Sequence, residues 1–289
     1  MTSNNPGLPR ADRPTLAQAA RFVGSLTSVF LSAIAITFLS YVLGHSILHG
    51  NLPGNDSPLH LAYLNSLDEY FPRIPHWFPT QGGGESLAHG YPVAAHLLII
   101  VVNRLTGIGL AELFRLAAFL SFPLAAFGVY LLGWQMMRSQ TVGTLAAIFS
   151  LLAPVTWTWM FNWGFFGQQV AFVLLPLVLL AFHRAYGTQL SPPWAARRRV
   201  WSAILVVLFT IASLLHFHVG AAAGMGMGLY AIVDAMAAPR GMRATRLKSA
   251  IKILILLLVL FGLIASAYLV PFYLSMISGY LFSSFPYLL

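Results

Sequence analysis

The chain alternates between long apolar runs and short polar breaks. The runs are Phe22–Gly44, Pro92–Val102, Leu116–Met137, Val142–Met160, Phe165–Phe182, Val200–Leu215, Val219–Val233 and Ile253–Leu274. They are apolar throughout, without the period-two alternation over ~10 residues of a membrane β-barrel strand. Several approach or pass the ~18 uncharged residues that mark a membrane-crossing helix. His216 and His218 interrupt the stretch between Arg199 and Arg240, which at ~1.5 Å per residue is long enough for two crossings. Pro154 and the tryptophans from Trp157 to Trp163 separate Val142–Met160 from Phe165–Phe182, and tryptophan suits a membrane interface.

The run Pro92–Val102 is too short to behave like the others. At ~1.5 Å per residue it reaches about 17 Å, against a hydrocarbon core of about 30 Å. It is expected to lie at the surface or dip in without crossing. The distribution of basic residues agrees. With a cytoplasmic N-terminus and no crossing at Pro92–Val102, Arg10, Arg13, Arg21, Arg138, Arg184, Arg197, Arg198, Arg199, Arg240, Arg243, Arg246, Lys248 and Lys252 fall inside. Only Arg73, Arg104 and Arg115 fall outside, 13 against 3. A crossing there reverses every later loop and gives 5 inside against 11, or 11 against 5 when inverted. The positive-inside rule selects the first arrangement.

The expected architecture is an all-α polytopic membrane protein with about seven transmembrane helices and a large outward first loop holding short interfacial helices. The whole chain, 1–289, forms a single membrane domain. A cytoplasmic tail (1–21) precedes the first transmembrane helix (22–44) and an outward loop (45–115) with a partial helix (92–103). A six-helix bundle (116–274) and an outward tail (275–289) follow. The uncharged run Phe22–Gly44 exceeds the ~7–15 residues of a signal-peptide core, so it reads as an uncleaved anchor in the plasma membrane. There is no internal repeat, and no segment is long enough for a separate soluble domain.

Composition sharpens this. The chain is 58% hydrophobic and 8% charged with mean hydropathy +0.77, whereas soluble domains are roughly 25% charged. A net charge of +9 and a pI near 10.2 would suit nucleic acid, but the basic residues flank apolar runs and form no stacking platform, so membrane topology is the better reading and no nucleic-acid partner is expected. The absence of cysteine removes disulfides, thiolate metal sites and cysteine nucleophiles.

Candidate chemistry concentrates in Gly54–Pro92. Four of the seven acidic residues lie there (Asp56, Asp68, Glu69 and Glu85), with His60, His76 and His89. Asp56 opens a helix: aspartate is a favoured N-cap, Pro58 suits the first turn, and Leu59–Phe71 continues without a breaker. His60 follows four residues on. One reading is a carboxylate and an imidazole facing a membrane-surface site, the carboxylate drawing a proton from an acceptor hydroxyl. The other is a helix cap and a surface histidine. Asp68 and Glu69 point about 100° apart and read as solvated face. Pro72–Pro79, with Trp77 and Phe78, reads as an interfacial wedge. Gly82–Gly84 reads as a flexible turn, because the Lys-Ser/Thr of a phosphate loop is missing.

The other polar residues have plainer readings. His45, His49, His60, His76, His89 and His96 raise a zinc hypothesis that no His-Glu-x-x-His motif supports. On an intact helix His216 and His218 are split by about 200°, so at most one faces the loop, and a polar plug at a helix–helix turn is the commoner explanation. Gly220, Gly224, Gly226 and Gly228 read as a close-packing face. Asp234 should pair with a neighbouring base. Glu112 and Arg115 are spaced to pair, or else Arg115 or Arg104 meets an anionic phosphate, for which a guanidinium fork is suited.

Asn55-Asp56, the stretch Ile74-Pro75-His76-Trp77-Phe78-Pro79, Gly90-Tyr91-Pro92 and Leu113-Phe114-Arg115 together resemble the GT-C superfamily of integral-membrane glycosyltransferases. Within it the chain is similar to the bacterial and archaeal membrane proteins labelled 6-pyruvoyl-tetrahydropterin synthase-related, a label that implies no pterin chemistry here. Gly167-Gln168-Gln169 and Pro271 carry the same likeness. The resemblance implies inverting transfer of a sugar from a polyprenyl-phosphate or polyprenyl-diphosphate donor on the exoplasmic side. By position, Asp56 would be the base, with His60 assisting and Arg73, Arg104, Arg115 and His89 near the carrier phosphate. No cofactor is demanded, though a divalent metal (Mg or Mn) is left open; Ser57 stands where many members carry a second acid, which counts against it. The expected partners are the bilayer, the lipid-linked donor, and a missing C-terminal part or partner subunit. The rival readings are a transporter or flippase and an inactive scaffold subunit of a cell-envelope assembly.

Overall fold

The computed structural model describes residues 16–50, 54–75, 78, 93–187 and 195–283. Every regular element among them is helical. In order these are α1 (Leu16–His49), α2 (Ser57–Tyr70), α3 (Ala94–Thr106), α4 (Leu110–Met137), α5 (Gln140–Leu152) and α6 (Pro154–Thr158). A π-helical turn (Trp159–Trp163) leads to α7 (Phe166–Phe172), α8 (Leu175–Gly187), α9 (Ala195–Leu215) and α10 (Phe217–Ala237). A 3-10 turn (Arg240–Met242) then precedes α11 (Arg243–Ser283).

Four helical stretches among the described residues are long and apolar enough to cross a membrane: Val23–His49, Leu110–Met137, Phe166–Tyr186 and Phe217–Ala237. A fifth arises if α5 and α6 with the following turn, Gln140–Leu152 and Pro154–Trp163, form one span bent by 52°. This is the helix content of a membrane protein. The expected count of seven exceeds what length and composition establish here. In α9 the arginines occupy the first turns, leaving a shorter apolar helix, Arg199–Leu215.

The apolar runs became helices, but their ends moved. At ~1.5 Å per residue α3 reaches about 20 Å, still short of a bilayer core. It lies against α2, α4 and α7 through Ala95, His96, Ile99 and Ile100. Gly107, left-handed at φ 72, ends it. Only Ile108 and Gly109 separate Gly107 from α4, so Glu112 and Arg115 sit on the first turns of a helix long enough to cross a membrane rather than in a loop. Glu112 there suits the positive end of the helix dipole. The Ser139 hydroxyl caps α5 by accepting from the Val142 backbone N–H.

Among the described residues two apolar cores result. One surrounds α2, α3 and the adjoining ends of α4 and α7, with Tyr63, Leu67, Ile100, Phe114, Phe122 and Phe166 fully enclosed. The other joins α8, α9, α10 and the start of α11 around Phe182, Tyr186 and Met227. The glycines of α10 divide. Gly220 packs on Ser213 and Gly226 on Leu179, whereas Gly224 and Gly228 have nothing among the described residues within 4 Å of an added Cβ. Close packing accounts for two of the four.

Candidate functional site

Two glycines set the start of α2. Gly54 and Gly164 both have positive φ, 79° and 76°. A Cβ on Gly54 would lie 2.2 Å from the Gly164 nitrogen, so only glycine allows the two backbones to touch. The contact lets the Asn55 N–H donate to the Asn162 carbonyl at 3.3 Å and the Asp56 N–H to the Trp163 carbonyl at 3.0 Å. The first turn of α2 is thereby fastened to the turn between two apolar helices.

Asp56 occupies the N-cap position, as the sequence suggests, but its side chain does not cap. N-cap residues usually hold extended dihedrals that fold the side-chain oxygen back onto the helix. Asp56 is already helical, φ −87 and ψ −7. Its carbonyl accepts from the His60 N–H at 2.9 Å. Its half-buried carboxylate makes no hydrogen bond or ion pair among the described residues.

His60 is enclosed rather than at the surface, 2% exposed, and its partner is His96, fully buried on α3. His96 Nε2 lies 3.2 Å from His60 Nδ1. Tyr63, Phe114 and Phe166 wall the pair, with ring centroids 5.6–6.2 Å away. Burial lowers the pKa of His60 to about 4, partly opposed by a backbone hydrogen bond with Gly164. Burial, with the neighbouring His60, lowers His96 to about 3. The pair is neutral at pH 7, with one ring donating to the other. Protonating both would set two N–H donors face to face.

The arginines separate into committed and uncommitted. Arg104 Nε and Nη2 grip Asp68 Oδ1 at 2.9 and 2.6 Å, and Nη2 reaches the Asp68 carbonyl at 2.9 Å. Its guanidinium also lies over Phe71 at 5.9 Å. Asp68 thus ties α2 to α3 instead of being merely solvated. Arg115 is half-buried beside Phe114 and makes no ion pair with Glu112 or any other described residue. Arg73 is exposed past the end of α2. His76, His89 and Glu85, and the Pro72–Pro79 wedge from His76 on except Phe78, lie outside the described residues; Phe78 is buried against Tyr63.

His216 and His218 lie together, centroids 5.2 Å apart, because the helix breaks at His216, extended at φ −163 and ψ 114. The split expected of an intact helix therefore does not hold. Burial, and then His218, lowers the His216 pKa to about 4. Among the described residues no three side chains of metal-binding type converge, and Ser57, beside Asp56, is fully buried. Among the described residues these donors do not compose a divalent-metal site.

Sequence reasoning missed the His60–His96 contact and the Gly54–Gly164 crossing. The available signal was a lone imidazole in the otherwise apolar opening of the short run containing His96. No family model, curated protein or solved structure matches the chain.

Proposed function

We propose that the chain is a membrane glycosyltransferase of the GT-C kind, taking a sugar from a polyprenyl-phosphate-linked donor at the α2–α3 end of the bundle. The observation that carries this reading is the Asp56 carboxylate. It is held in place by its backbone and left uncommitted by its side chain. In the proposed reaction Asp56 accepts the acceptor hydroxyl's proton as that oxygen attacks the anomeric carbon from the face opposite the leaving phosphate, inverting the configuration. The neutral His60–His96 pair assists by holding the first turn of α2 against α3 and α7. Arg115 and Arg73, neither in an ion pair among the described residues, supply positive charge for the departing phosphate.

The same reading takes all seven apolar helices as crossings, with α2 and α3 on the exoplasmic side of the plasma membrane and the N-terminus in the cytoplasm. The balance of 13 basic residues against 3 supports it. The test is sugar transfer from a polyprenyl-phosphate donor by the chain in nanodiscs. Transfer that falls about 10²–10⁴-fold in Asp56→Asn supports the mechanism. Full activity in that variant removes it, and substrate flux without covalent turnover would mark a transporter instead.

A further inference from the structure

A cavity of about 240 Å³ lies between α4, the α5–α6 bend and the α7–α8 junction. It arises where two helices break side by side. Ala153 is extended, φ −64 and ψ 119, and Pro154 has no N–H to continue the ladder, so the chain leaves at 52°. Opposite, α7 stops at Phe172 and α8 begins at Leu175, just before Pro176. Pro176 bounds the space, pressing on α4 where a Cβ at Gly128 would lie 2.6 Å from its Cγ.

The walls are almost wholly apolar, with Phe122, Ala126, Val129, Leu151 and Phe172 among them. Three lining residues are polar. Ser150 donates its hydroxyl proton to the Ala147 carbonyl at 2.8 Å, and Thr156 donates to the Ser150 carbonyl at 2.7 Å. Gln169 is different. It is 4% exposed, lines the cavity, and its amide makes no hydrogen bond among the described residues. An amide that opens only onto an apolar cavity gains by meeting a hydrogen-bonding group there, so a partner in the cavity is favoured.

The surroundings narrow the partner. Among the described residues no charged side chain lines the space, which disfavours an ionised group there. The volume exceeds the ~150 Å³ of an apolar cavity that holds benzene, and a water needs two to four polar partners that these walls scarcely provide. Val155, 59% exposed, stands at the rim, and the neighbouring Leu152 and Phe149 are exposed as well. Where these helices cross a bilayer, an opening with such an apolar rim faces hydrocarbon.

We infer that this cavity binds the hydrocarbon chain of a lipid entering sideways from the bilayer, with the Gln169 amide receiving the chain's one neutral hydrogen-bonding group. An ester of a phospholipid and the hydroxyl of a free long-chain alcohol share this chemistry. The cavity lies one helical turn from the histidine pair, since Phe166, three residues before Gln169 on α7, packs on both rings. Chain binding needs no turnover and does not rest on sugar transfer.

The test is photocapture by the full chain in phosphatidylcholine nanodiscs, using diazirine-bearing hexadecanol in one arm and diazirine-bearing phosphatidylcholine in the other. Adducts within 122–129 and 150–156 from either probe are expected, and the arm that labels names the source. Gln169→Leu, close in volume, should cut capture about tenfold. Ala126→Phe, or Val129→Phe if the first fails to fold, should abolish it. Asp56→Asn should capture like the wild type, so this inference and the transfer mechanism can fail separately. Absent adducts in those segments, or adducts that persist when the cavity is filled, overturn the site. Capture unaffected by Gln169→Leu overturns the role of the amide.

Discussion

Two acids at opposite ends of the bundle, Asp234 and Asp56, are treated in opposite ways. At the end where α8, α10 and α11 meet, Asp234 is fully engaged. Arg246 Nη1 donates to both its oxygens at 2.7 and 2.8 Å, and the Tyr186 hydroxyl donates to Oδ2 at 2.9 Å. His183 and Tyr230 pair beside it at 2.6 Å, and Arg184 reaches Gln135. This is a fastening between helices, as the sequence position of Asp234 suggested. At the α2–α3 end Asp68 has the same kind of role, gripped by Arg104, but Asp56 does not. The contrast within one short helix separates an acid that holds the fold from an acid available for chemistry.

The sharpest way to break that comparison is to neutralise each acid. Asp56→Asn should lower sugar transfer by about 10²–10⁴-fold and leave the thermal midpoint near that of the wild type. Asp234→Asn should do the reverse. Leaving Arg246 without its partner costs about 1–3 kcal/mol, read as a lower midpoint, while transfer by the folded fraction persists. If both variants lose stability equally and neither loses transfer selectively, the distinction between the two ends fails.

Acidity probes the histidine pair. The folded pKa values, about 4 for His60 and about 3 for His96, lie below the ordinary 6.5, so the unfolded chain takes up protons first. Their contribution to stability is complete above about pH 6.5 and is lost as pH falls towards 4 and then 3. Thermal midpoints measured between pH 7.5 and 4.5 should fall in the wild type and fall less in His60→Gln/His96→Gln. The smallest effect belongs to Arg104→Gln. Its pair with Asp68 has side chains 53% and 30% exposed, so its loss should cost below about 1 kcal/mol in a stability titration.

Much of the fold was legible because membrane helices are written as uninterrupted apolar runs. What moved were the ends. α1 continues through His45 to His49, since nothing there breaks a helix, and α4 opens at Leu110 as soon as Gly107 has turned the chain. The number of crossings stayed beyond reach of length alone, because α9 begins in arginines and the span after Ser139 bends at Pro154.

The site was half legible. A helix starting at Asp56 follows from local residue preferences, but whether its carboxylate caps depends on dihedrals set by the contact of Gly54 with the distant Gly164. The His60–His96 contact joins two helices across 36 residues and has no local signature. For His216 and His218 the helix–helix turn was legible, whereas their angular split was not: that rule assumes an intact helix, and the helix breaks at His216.

Everything proposed for Asp56 requires the α2–α3 end to face away from the cytoplasm. The chain contains no cysteine, so single cysteines can be introduced without background. Asn65→Cys on the exposed side of α2 and Gly241→Cys in the exposed turn before α11 are the two reporters. With an impermeant maleimide on intact cells, Asn65→Cys should label at once and Gly241→Cys only after permeabilisation. The opposite pattern would place Asp56 on the cytoplasmic side and contradict the account.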